Sequence, residues 1–275
     1  MFLSNIILIQ VLSGQSTCPG QNGPRMFKYS RLKYLRRRLF LDLRDSLFGP
    51  NYPMDGVNFT MPRGSHPSPR RAILRGDYEI NERTLIKAHL PPDLPVIELG
   101  GSYGIVSHAI RRALAPSSQL VVVEANPAMI ATCSANVALG GSPDKTAVVQ
   151  AALAYGDAKV RFKVTANVHT SHLIFDGSTG PDIVDVPSAT LATLRADHGL
   201  SGRFSLVCDI EGAELLLLRH DAAAMADCAL IIMETHPAAY PAMGGTLDEL
   251  TSRLTALGFQ TFDRQGDVIA ARRAD

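Results

Sequence analysis

Over most of the chain, short unbroken apolar runs alternate with stretches in which apolar side chains return every third or fourth residue. The runs Pro95-Val-Ile-Glu98-Leu99, Gln119-Leu-Val-Val-Val-Glu124, Thr146–Leu153, Arg203–Ile210 and Ala229–Thr235 predict buried strands. The stretches around them predict helices: Asp77–Leu90, stopped by Pro91-Pro92, one following Gly104, Pro127–Leu139, Ser188–His198, a leucine-rich helix through Leu218, and Thr246–Leu257. Lys159–Val164 and Asp182–Val186 read as half-exposed or edge strands, and Gly258–Arg272 as a closing hairpin around Gln265-Gly266-Asp267. Such alternation predicts an α/β domain over residues 77–275, built on a mostly parallel sheet with helices on both faces.

The preceding segments follow different patterns. Residues 1–25 hold the apolar run Ile6–Ile9, interrupted by Gln10, which is too short to span a bilayer and lacks the basic start of a signal peptide. They read as a disordered or mis-started leader, with Met26 as an alternative start. In Phe27–Phe48, leucines and aromatics recur among Lys28, Arg31, Lys33, Arg36, Arg37, Arg38 and Arg44, the pattern of a basic amphipathic helix. The reading adopted is a helix packed on the domain with its basic face in solvent, contact with an anionic membrane surface being the alternative. Gly49–Arg75, rich in Pro, Gly and Ser, reads as a linker or irregular lid, with His66 exposed between prolines. Residues 26–76 thus form a helical extension and linker.

Composition narrows the function classes. A net charge of +1, no Trp and 6% aromatic residues give no case for a nucleic-acid partner. Cys18, Cys133, Cys208 and Cys228 show no Cys-x-x-Cys spacing, and the last three fall in apolar patterns, so they read as small buried hydrophobes in a reduced, cytoplasmic setting. His169 and His172 lie in a polar loop expected to face substrate, without a third ligand at metal spacing. His108 and His220 read as surface or capping residues.

Candidate chemistry gathers at the predicted strand ends. Glu98, Gly100, Gly101 and Gly104 surround a strand-to-helix bend, and Glu124 closes the next strand. An acid at the second strand end can grip both hydroxyls of a ribose. Glu98, two residues before Gly100, would repel a dinucleotide pyrophosphate but suits S-adenosylmethionine, whose α-amino group and sulfonium are cationic. Asp209 and Glu211 lie at the end of the fourth buried strand and His236 follows the fifth. They are candidates for the general base of a methyl transfer, with helix capping by Asp209, Glu211 or Glu214 as the alternative. No complete metal coordination set is evident, so metal-independent chemistry is expected.

Five pieces in order carry a family likeness: Val-Ile-Glu98-Leu-Gly-Gly-Ser-Tyr-Gly104, Val-Val-Val-Glu124-Ala-Asn-Pro127, Ala-Ala152-Leu-Ala-Tyr-Gly-Asp157, Asp209-Ile-Glu-Gly-Ala-Glu214 and Ile-Ile-Met-Glu-Thr-His236-Pro237. From Tyr78 to Ala271 the chain resembles the FkbM-type S-adenosylmethionine-dependent methyltransferases. The resemblance implies a class I methyltransferase fold, Rossmann-like and doubly wound, with a seven-stranded sheet containing one antiparallel strand. It also implies O-methylation of a hydroxyl on a small molecule, sugar or glycolipid. The implied cofactor residues are Glu98, Gly100, Gly101, Ser102, Tyr103, Gly104, Glu124, Ala125, Asn126, Ala152 and Asp209, and the catalytic ones Asp209, Glu211 and His236. Gly101, Ser102 and Ala125 depart from the family's usual Ala, Asn and Pro. A nicotinamide-dependent oxidoreductase, or a cofactor-binding module without turnover, is the competing reading.

Overall fold

A computed structural model describes residues 31–165, 171–174 and 178–273. The leader, residues 27–30 and His169 lie outside them. The chain opens with helix α1 (Arg31–Phe48), a hairpin of β1 (Asn51–Met54) and β2 (Val57–Thr60), and helix α2 (Pro67–Arg75). The expected linker at Gly49–Arg75 is therefore ordered secondary structure. Its strands have four residues each and one contains Pro53, which strand propensity disfavours, yet Tyr52, Met54 and Phe59 are buried. Its prolines open α2, where they have no helical N–H to lose, and His66 caps that helix by accepting from Ser68 N at 3.2 Å. Arg70, fully buried, binds Asp42 and Asp45 of α1 at 2.7 and 2.8 Å and Tyr52 at 2.6 Å. These bonds tie the three elements into one layer.

Helix α1 departs from the expected packing. Leu41 and Asp45 are buried against the layer, but Leu35, Leu39, Phe40, Leu43, Leu47 and Phe48 all remain exposed. Its outward side is therefore largely apolar, and not simply a solvated basic face.

The domain proper follows the predicted alternation: α3 (Ile80–His89), β3 (Val96–Leu99), α4 (Ile105–Ala113), β4 (Leu120–Glu124), α5 (Ile130–Ala138) and β5 (Thr146–Gln150). Next come β6 (Ala152–Leu153), β7 (Lys159–Lys163), β8 (His172–Leu173), β9 (Ile183–Ala189) and α6 (Leu191–Asp197). The chain continues through β10 (Phe204–Cys208), α7 (Glu214–His220), β11 (Cys228–Glu234), α8 (Leu247–Ala256), β12 (Phe259–Gln265) and β13 (Val268–Arg273). The expected Thr146–Leu153 strand breaks at Ala151: its last two residues leave the main sheet to pair with β9 in a second, four-stranded sheet ordered β6-β9-β7-β8.

The main sheet is ordered β12-β13-β11-β10-β3-β4-β5. All its strands are parallel except β13, which runs antiparallel between β11 and β12. This is the seven-stranded class I methyltransferase architecture. Alternate residues of each strand face opposite cores: Ile97, Leu99, Val121 and Val123 on one side, Val96, Leu120 and Val122 on the other. A third cluster joins Tyr52, Phe59 and Ile73 of the N-terminal layer to Tyr103, Ile105 and Met129. His108 belongs to this junction. It is 8% exposed and edge-on to Phe59 at 5.1 Å, so it is neither a surface nor a capping residue. His220 stacks on Tyr155. Among the described residues, no helix is long and apolar enough to cross a membrane.

Candidate active site

Chain order reverses between β3 and β10, which lie side by side, and the crevice over their carboxyl ends is where an open α/β sheet takes ligands. Two cavities meet there. The larger, with an empty volume of about 710 Å³, has walls from Glu124, Ala125, Asn126 and Ala152, and from Phe162 and Leu173 of the second sheet. The smaller, about 350 Å³, is bounded by Tyr78, Glu79, Glu82, Glu98, Gly101 and Ile105. Leu99, Gly100, Ser102 and Asp209 line both.

The bend after β3 uses its own amides. Gly100 N and Gly101 N donate to the Val123 carbonyl, Ser102 N to the Glu124 carboxylate at 2.6 Å, and Gly104 N to the Gly101 carbonyl. A Cβ on Gly100 would sit 1.8 Å from the Asp209 carbonyl oxygen, and one on Gly101 2.4 Å from Val122 Cγ1. These two glycines are thus demanded by close packing against the neighbouring strands. Tyr103 and Gly104 line neither cavity: Tyr103 packs near Tyr78 in the N-terminal cluster, and Gly104 lies against the Cys133 backbone.

Glu124 is 7% exposed, and its two oxygens accept from Ser102 N and Asn126 N, both at 2.6 Å. Burial raises its pKa while the amides of Asn126, Ser102 and Ala125 oppose the rise. Each carboxylate oxygen keeps a second lone pair for a hydroxyl donor. Glu98 is different. It sits in register with Val122 and Val207, on the apolar side of β3, and neither of its oxygens has a hydrogen-bond partner. Burial pushes its pKa up to about 8, opposed by the Ser107 hydroxyl and reinforced by Glu124.

Beside it the site accumulates acid. Burial and neighbouring carboxylates bring Glu82 up to about 8 and Glu79 up to about 7, and raise Asp209 well above the usual carboxylate range. Burial is again the largest cause for Glu211, at about 7, against an opposing pull from His236. Glu79, Ser102 and Glu211 all hold left-handed backbone at φ 42°, 46° and 52°. Such strain, on the order of 1–3 kcal/mol per residue, persists where the surroundings enforce it.

None of the three candidate caps bonds the N-terminus of α7 through its side chain; Glu214 instead holds the turn before it. Its Oε1 accepts from Ile210 N at 3.2 Å and Gly212 N at 3.1 Å, and contacts His236 Nδ1 at 3.0 Å. Asp209 does not cap the helix either, and its Oδ1 has no hydrogen-bond partner. His236 Nε2 lies 3.5 Å from Asp209 Oδ1 and 3.6 Å from Glu211 Oε2, so the structure does bring these three side chains together. Burial disfavours the charged ring, but Glu214, Glu211 and Glu234 outweigh it and bring His236 up to about 9. Asp209, Glu211 and His236 each place one ligand atom within 4.8 Å of the others, as do Glu79, Asp209 and Glu234. His172 sits exposed on β8.

Sequence reasoning missed Glu79, Glu82 and Glu234, and the cavity wall of Phe162 and Leu173. Glu79 and Glu82 flank the start of an ordinary-looking helix. Glu234 stood in plain view beside His236, closing a strand as Glu98 and Glu124 do.

The family model of the methyltransferase FkbM domain matches residues 98–261. The chain belongs to the FkbM methyltransferase family. Both strand-end acids and the Asp209–Glu214 loop fall inside the matched segment. Among solved structures, this family member is similar to magnesium protoporphyrin IX methyltransferase from Synechocystis with bound SAM (10% identity, 75% of this chain and 84% of that one, TM-score 0.44). It is also similar to a methyltransferase from Geobacter sulfurreducens (17%, 70% and 76%, 0.41) and to a protein of the NADB-Rossmann superfamily from Streptococcus agalactiae (10%, 70% and 68%, 0.42). No sequence match is found among curated proteins.

Proposed function

We propose that the chain is an S-adenosylmethionine-dependent O-methyltransferase acting on a hydroxyl of a small molecule, sugar or glycan. Glu98 carries the reading. A buried carboxylate with the Ser107 hydroxyl near it but no cation, in a cavity shared with Glu79, Glu82 and Asp209, favours a cationic ligand. Dinucleotide binding is disfavoured by the same place: the amides of Gly100, Gly101, Ser102 and Gly104 are already bonded within the protein, and a pyrophosphate would face carboxylates.

S-adenosylmethionine fits these residues, with its α-amino group toward Glu98, Glu79 and Glu82, its ribose toward Glu124, and its adenine in the larger cavity by Ala125, Asn126 and Ala152. When bound, it supplies an electrophilic methyl group. A sugar hydroxyl is a weak nucleophile, so the chain must accept its proton and hold it in line. Asp209 is the assigned acceptor: burial raises its pKa, but the charged His236 ring 3.5 Å from its Oδ1 and the positive charge the cofactor would bring both favour its ionised form. Glu211 and His236 orient it, because a ring kept charged up to about pH 9 starts with its proton already in place.

Calorimetry with S-adenosylhomocysteine and with NADH tests the cofactor, and transfer of a labelled methyl group to a cell-extract fraction tests turnover. Binding of NADH without binding of S-adenosylhomocysteine supports the oxidoreductase and removes this proposal. Cofactor binding with no transfer to any fraction supports a module without turnover.

A further inference from the structure

We infer that α1 is a docking helix for an anionic lipid surface. It carries six of the exposed large apolar side chains among the described residues: Leu35 (50% exposed), Leu39 (72%), Phe40 (67%), Leu43 (58%), Leu47 (68%) and Phe48 (73%). Leu35, Leu39, Leu43 and Leu47 follow one another at four-residue spacing, which places them along one side of the helix, turned away from the side where Leu41 and Asp45 are buried. The underside is fixed. Arg70 holds Asp42 and Asp45, so the helix has no freedom to roll its leucines onto the protein.

Charge selects the occupant. Lys33, Arg36, Arg37, Arg38 and Arg44 share the helix with only two acids, so it is strongly positive; Asp42 and Asp45 are engaged by Arg70 from below, Arg38 also pairs with Asp42, and Arg44 is turned to Asp45 and the Asn51 carbonyl. A second copy docking through the same face would bring two such basic runs together, at a cost in like-charge repulsion. A layer of anionic headgroups meets both needs at once: the leucines enter the acyl boundary, while long basic side chains reach back to the phosphates. A helix of 18 residues lying in the plane suits this role, and the layer beneath it packs directly on Tyr103 of the bend and Ile105 at the start of α4.

The chain has no Trp, so the full-length Phe40→Trp protein carries a single reporter on this face. Its emission is expected to be solvent-like alone, unchanged with phosphatidylcholine vesicles, and blue-shifted with vesicles one-third phosphatidylserine, the shift receding in high salt. Leu39→Ser/Leu43→Ser in that background should weaken vesicle affinity at least tenfold while leaving the melting temperature unchanged. Emission already blue-shifted without vesicles would mean that another part of the chain or a second copy covers the face. That result, or no response to the anionic vesicles, overturns the inference.

Discussion

Glu98 and Glu124 occupy equivalent strand ends and are set for different tasks. Glu124 is satisfied by amides before any ligand arrives, whereas Glu98 is buried with only the Ser107 hydroxyl to offset the loss of water. Replacing Glu124 with Ala is expected to weaken S-adenosylhomocysteine binding by about 1.5–3 kcal/mol, the range for hydrogen bonds to a charged group, as read by calorimetry. For Glu98→Gln the pH profile is the sharper measurement. A cation favours the ionised carboxylate, so cofactor binding to the parent should release protons below about pH 8 and tighten as pH rises toward that value. The Gln variant should lose part of this slope, and a slope unchanged by the substitution would count against Glu98 as the cation's partner. Asp209→Asn is expected to lower turnover by about 10²–10⁴-fold, with the cofactor dissociation constant much less affected. Full activity in that variant would dismiss Asp209 as the proton acceptor.

Elements were legible where burial is two-sided. Val96–Leu99, Leu120–Glu124, Phe204–Cys208 and Cys228–Glu234 announce themselves because parallel strands covered on both faces need continuous apolar runs. The β1–β2 hairpin was illegible for the opposite reason. Its strands alternate over only four residues, and the composition around them is that of loops. What secures that layer is a long-range network centred on Arg70, which no local pattern reveals. Arg70→Met should therefore destabilise the protein by about 3 kcal/mol in chemical denaturation, the low end for breaking a buried pair, since Asp45 would keep for a cation only its longer contact to Arg44 at 3.3 Å. The four-stranded sheet escaped notice similarly, because β6 continues β5 with a single residue between them, and only pairing with β9 shows that the strand has changed sheets. Of the site, the strand-end acids could be found by position, while Glu79 and Glu82 could not, since acids in the first turn of a helix are commonplace at surfaces.

At the scale of the molecule, the acid cluster couples folding to pH. Glu98, Glu82, Glu79 and Glu211 have folded-state pKa values raised above those of an unfolded chain, so each favours the fold in its protonated form. Their contribution is complete below about pH 4.5 and is lost as pH rises to about 8. His236, raised from 6.5 to about 9, acts in the same direction between those values. The ligand-free protein should consequently melt at a lower temperature at pH 9 than at pH 6, and S-adenosylhomocysteine should protect more strongly at the higher pH. A melting temperature that rises over this interval would contradict the assignment.

Because β13 lies between β11 and β12, the strand made later must be placed inside a pair made earlier. While the chain is being synthesised, β11 therefore waits with one edge unpaired until residues 268–273 emerge, and β12 has no partner in the main sheet until then. Nascent chains halted between Gln265 and Val268 should remain sensitive to protease even though every helix and the other six strands of the main sheet have already been made.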